Sequence, residues 1–128
     1  MIKDISLHAI IHDEEGHLAH FHTHGLEEHY NHPDLQILLP LDQGSAFHIL
    51  HAFFNRIESG EVFKDGELVS SISEDIEGLP TVQLKLCTKS KNTNQKVLRI
   101  MFPDKQGFYP TDKKCSNLWK MQTETPEY

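Results

Sequence analysis

The sequence predicts one α+β domain, a mainly antiparallel sheet with a single principal helix packed on one face. Three observations carry this. Apolar residues alternate with period two in several short segments, recur at helical spacing in one long segment, and are separated by turn-forming residues. The chain has 128 residues, which suits one domain over 1–128 without a linker or repeat.

The elements follow in order. Ile5, Leu7, Ala9 and Ile11 alternate with Ser6, His8, Ile10 and His12, the pattern of a half-buried strand. Asp13-Glu14-Glu15-Gly16 is a turn, with Gly16 suited to its left-handed position. A second strand runs from His17 to His24. Glu27 to Asn31 forms one helical turn before Pro33, and Leu35 to Leu41 reads as a central strand. The principal helix spans Ser45–Ser59, capped by Gly44-Ser45 and stopped by Gly60; Ala46, Ile49, Leu50, Phe53 and Ile57 share one face. Asp65-Gly66, between Glu61-Val62-Phe63 and Leu68-Val69, signals a hairpin. Val82 to Cys87 and Val97 to Phe102 are further strands around a polar turn at Ser90 to Gln95. Beyond Pro103 the chain reads as loop, anchored by Leu118, Trp119 and Met121.

Composition excludes several classes. Net charge is −7, and residues 1–62 hold Lys3 and Arg56 against ten acids. An acidic chain without a basic stripe is not built to wrap a phosphate backbone, so no nucleic-acid partner is expected. No apolar run approaches the ~18 residues of a membrane span, and no membrane partner is expected. Two cysteines, Cys87 and Cys115, suit reduced thiols and a cytoplasmic location rather than a disulfide scaffold or a four-cysteine zinc site.

All ten histidines lie between His8 and His51. With a bulged turn at Gly16, residues whose numbers sum to 30 pair across the first hairpin. His8 then faces His22, Ile10 faces His20 and Ser6 faces His24. That register puts the apolar residues on one face and His8, His12, His20, His22 and His24 on the other. Opposed side chains have Cβ atoms ~5 Å apart, within reach of a shared metal. His8, His20, His22 and His24 are therefore the metal candidates, with zinc or iron as the cofactor. The bland alternative is a wet sheet face of partly exposed histidines. Gly16, His22, His24 and Glu28 also fit the spacing of the first cupin motif. Leu35 stands where that motif needs glycine, however, and no histidine follows His51, so the cupin reading is set aside.

Two further motifs stand apart in the chain: His22-Thr23-His24-Gly25-Leu26 with His32-Pro33-Asp34-Leu35, and Phe102-Pro103-Asp104-Lys105-Gln106-Gly107-Phe108-Tyr109-Pro110 with Gln122. In order and spacing the chain resembles an uncharacterised bacterial family catalogued as domain of unknown function 4262, over about residues 20–122. That family pairs Thr-x-Gly-Leu with His-Pro-Glu-Leu, and later has Pro-Asp-x-x-Gly-x-x-Pro and a Gln. Here Asp34 replaces the Glu, and His22 and His24 stand where an aromatic and an apolar residue are usual. The resemblance implies Thr23, Gly25, His32, Pro33, Asp104, Gly107 and Pro110 as ligand-binding candidates, or as turn builders. If the loops carrying His32 and Asp104 meet at one rim of the sheet, the two side chains come within hydrogen-bonding reach.

The sequence holds no phosphate-cradling glycine loop and no Gly-x-Ser-x-Gly elbow. The functional expectation is a non-catalytic binding or interaction module, its partner a small molecule, another protein or a second copy of the chain. The alternative is a small metal-dependent enzyme or metal-binding protein built on the histidine hairpin.

Overall fold

A computed structural model describes residues 6–11, 18–39, 41–70, 72 and 80–125. The turn expected at 13–16, His12, and the side chains of His8 and of Ile11 lie outside this description. β1 (Ser6–Ile11) and β2 (Leu18–His24) pair antiparallel in the expected register: Ser6 lies opposite His24, His8 opposite His22 and Ile10 opposite His20. The alternation of apolar and polar residues sets this register, because a one-residue slip would drive the histidines into the core. α1 (Leu26–Tyr30) is the expected helical turn. There follow β3 (Asp34–Ile37), α2 (Gln43–Glu58), β4 (Leu68–Val69), β5 (Val82–Ser90), β6 (Thr93–Met101) and α3 (Asn117–Lys120), which runs on into a 3₁₀ turn at Met121–Thr123.

The six strands form one sheet in the order β1-β2-β3-β6-β5-β4. The sheet is mixed rather than mainly antiparallel, because β3 and β6, its two central strands, run parallel with Asp34 opposite Val97 and Gln36 opposite Arg99. Hairpin signals govern only strands adjacent in sequence. β3 and β6 are joined through α2, β4 and β5, the kind of long crossover that parallel neighbours require.

Local corrections have local causes. α2 begins at Gln43 because Asp42 is its cap: the Asp42 side chain accepts from the Ser45 N–H at 2.9 Å. The Asp65-Gly66 turn forms, but 61–63 is not a strand. Phe63 instead turns inward against Phe53, ring centroids 5.0 Å apart, and β4 pairs with β5. Around the β5–β6 turn the ladder continues to Ser90 opposite Thr93, leaving only Lys91 and Asn92 between.

One face of the sheet is apolar. Phe21, Leu35, Ile37, Leu84, Leu98 and Ile100 bury against Ala46, Ile49, Leu50, Phe53 and Ile57 of α2. Each large side chain removed from water here contributes about 1.5–3 kcal/mol. The other face carries one polar row through four strands in register: His22, Gln36, Arg99 and Lys85.

Candidate functional site

The polar face is dry where it crosses the middle of the sheet. His20, His22, Gln36 and Arg99 are all buried, with Arg99 only 1% exposed. The wet histidine face expected from sequence is thus corrected for His20 and His22, while His24 is exposed. Arg99 Nε donates to Gln36 Oε1 at 2.6 Å, which fixes the amide. Gln36 Nε2 then points at His20 Nε2 (3.0 Å) and donates to the Lys89 carbonyl (3.0 Å). His22 Nδ1 lies 3.2 Å from the same His20 Nε2. With the amide N–H aimed at it, His20 Nε2 is an acceptor and the ring is neutral. Burial first, then the charges of Arg99 and Lys89, push the His20 pKa down to about 4. Arg99 also donates to the carbonyls of Gln122, Glu124 and Thr88, holding the C-terminal segment on the sheet.

The first motif builds the end of the sheet where β2 stops and β3 starts. Gly25 takes φ 111° at the entry to α1, a left-handed conformation that favours glycine. Thr23, fully buried, donates to Asp34 Oδ1 at 2.9 Å and accepts from the Leu35 N–H at 2.9 Å. Leu26 N–H donates to the same Asp34 oxygen at 2.9 Å. His32 is buried with Nδ1 2.8 Å from the Pro33 carbonyl, and its Nε2 accepts from the Phe63 N–H at 3.0 Å. His32 therefore ties this end of β3 to the segment after α2.

The second motif is a self-contained loop. Asp104 Oδ1 accepts from the N–H groups of Gln106 and Phe108, and Oδ2 from Ser116 N–H and Oγ–H. Burial works to raise the Asp104 pKa, but the backbone donors of Phe108, Ser116 and Gln106 outweigh it and hold the carboxyl below its ordinary value. Gly107, at φ 90°, donates back to the Asp104 carbonyl at 2.9 Å. Pro110 is buried in the same loop. Gln122 seals it from the tail, accepting from Phe102 N–H and donating to the carbonyls of Phe102 and Trp119. Trp119 packs on the core, whereas Leu118 is 50% exposed and does not anchor the tail. The thiol of Cys115 is buried, and burial together with the Asp104 carboxylate raises its pKa.

His32 and Asp104 do not meet. His32 precedes β3 and Asp104 follows β6; because these strands are parallel, the two motifs sit at opposite ends of the sheet. Thr23, Gly25, His32 and Pro33 belong to one end, and Asp104, Gly107 and Pro110 to the other.

At the first end lies an open cleft of about 320 Å³, lined by His24, Gly25, Glu27, Glu28, Asp34 and Gln95. Among the described residues, no group of three or more His, Cys, Asp or Glu is placed to hold a metal ion. Arg99 and Lys89 oppose a cation beside His20 for the reason that they oppose a proton there. The family model described as domain of unknown function, DUF4262, matches residues 3–116. The chain belongs to this family. No curated protein and no solved structure matches it.

Sequence reasoning missed Gln36, Arg99 and Gln95. The first two had a signal: each is a lone polar residue inside an otherwise apolar strand segment, Leu35-Gln36-Ile37 and Leu98-Arg99-Ile100. Gln95 had none, since it reaches the cleft only through the parallel β3–β6 pairing.

Proposed function

We propose that this DUF4262 domain is a non-catalytic binding module whose ligand seats in the cleft at the end of β2, α1 and β3. The observation that carries this reading is the cleft itself, walled by Gly25 and Asp34 of the first motif. Its volume falls at the small end of ligand sites, which run from about 300 to 1,000 Å³. Thr23 shapes the wall by holding Asp34 and the Leu35 backbone. His32, just before β3, ties the start of that strand to the Phe63 backbone. Asp104, Gly107 and Pro110 serve their own loop, where among the described residues the donors to the Asp104 carboxylate are Gln106, Phe108 and Ser116. A binding role fits polar side chains whose hydrogen bonds hold a cleft open rather than oppose an acid to a base.

Amide-detected screening of a mixed library of anionic, neutral and cationic fragments tests the reading. Hits are expected to move the backbone signals of residues 24–28, 34 and 95. A screen whose hits leave those signals in place defeats it. Elemental analysis of untagged protein tests the metal-dependent alternative on His8, His20, His22 and His24; stoichiometric zinc or iron would replace the present reading.

A further inference from the structure

The cleft has a definite electrostatic character. Of its six described lining residues, three are carboxylates, Glu27, Glu28 and Asp34, and none of the six is a lysine or arginine. Glu27 and Glu28 are exposed at the rim, with Glu28 4.0 Å from His29. Asp34 is the informative one. It is only 2% exposed, and both hydrogen bonds it receives, from Thr23 Oγ1 and Leu26 N–H, go to Oδ1. Among the described residues none donates to Oδ2, although Asp34 borders the cleft. Oδ2 is not shut off from solvent, so a donor on a ligand can reach it. No described group of three His, Cys, Asp or Glu is placed to hold a metal ion, so a metal is a poor match and an organic cation the better one. Gln95 adds an amide to the lining.

Resting on the binding reading above, we propose that the cleft takes a small organic cation. A protonated amine or guanidinium nitrogen donates to Asp34 Oδ2, and Glu27 and Glu28 supply the negative rim. A charged donor on a carboxylate is about twice as strong as a neutral pair, and within the cleft it is less screened than on open surface.

The test titrates the full chain at pH 7.5 with three probes built on a four-carbon chain: agmatine, 1,4-butanediol and succinate. Agmatine is expected to move the amides of residues 24–28, 34 and 95 saturably, at least tenfold more tightly than the diol, with succinate inert. Asp34→Asn retains an Oδ1 acceptor for Thr23 and Leu26 and should weaken agmatine at least tenfold. Glu27→Gln combined with Glu28→Gln changes only exposed side chains, so it tests the rim even if the Asn variant fails to fold. It should weaken agmatine severalfold and flatten its salt dependence. Equal or tighter binding of the diol or succinate at the same amides would overturn the cation while leaving the binding module standing. No saturable shift with agmatine, or unchanged affinity in the double variant, would overturn the cation directly.

Discussion

At the scale of single residues, the family motifs are mostly hydrogen-bond fixtures. Thr23 is the clearest: one hydroxyl satisfies the buried Asp34 carboxylate and the Leu35 N–H at once. Thr23→Val keeps the shape and removes both bonds, leaving an unpaired buried N–H. The expected cost is about 1–3 kcal/mol in the denaturant midpoint, with Thr23→Ser close to wild type. A valine variant as stable as the serine variant would refute the role. Sequence could place Thr23 in a motif but not decide between ligand contact and fixture. That distinction depends on Asp34, eleven residues away, folding back onto it. His32 escaped for the same reason, since its second partner is the Phe63 backbone, beyond α2.

At the scale of elements, patterning was legible wherever partners are close in the chain. The β1–β2 register and the buried face of α2 followed from periodicity alone. The β3–β6 pairing did not, because nothing in either segment encodes the direction of a neighbour more than fifty residues away in sequence. The candidate cleft was half legible in consequence: Gly25 and Asp34 stood in a motif, while Gln95 comes from β6. The start of α2 was misplaced by two residues because Asp42 and Ser45 are both good caps. The structure decides for Asp42, whose side chain accepts from Ser45 N–H. Asp42→Ala should therefore cost about 1 kcal/mol in thermal or denaturant unfolding, and Ser45→Ala should be nearly neutral. The reverse ranking would move the helix start back to Ser45.

At the scale of the whole molecule, the buried polar face couples the sheet to the C-terminal segment and makes the fold acid-sensitive. One buried ring carries that sensitivity. His20 is buried, accepts at Nε2, and faces the positive charges of Arg99 and Lys89, with His22 beside it. Its folded pKa is about 4, against an ordinary value of 6.5. Between those values the unfolded chain binds the proton and the folded chain does not. Stability therefore falls as pH drops through that window and levels off below it. At about 1.4 kcal/mol per unit of pKa, the loss is at most about 3–4 kcal/mol. Asp104, held below its ordinary value, contributes stability that is lost only at more acid pH. His20→Gln supplies an acceptor for the Gln36 amide without a titrating ring. Denaturant unfolding of chelator-treated wild type and variant from pH 7.5 to 4.5 should show the wild type losing about 2–3 kcal/mol more. Exposed carboxylates contribute equally to both proteins and cancel. Parallel curves would mean that His20 takes up its proton in the folded state as readily as in the unfolded one. The Gln36 amide would then have to turn away from it, breaking the bond from Arg99 to Gln36 Oε1 that fixes that amide on the sheet.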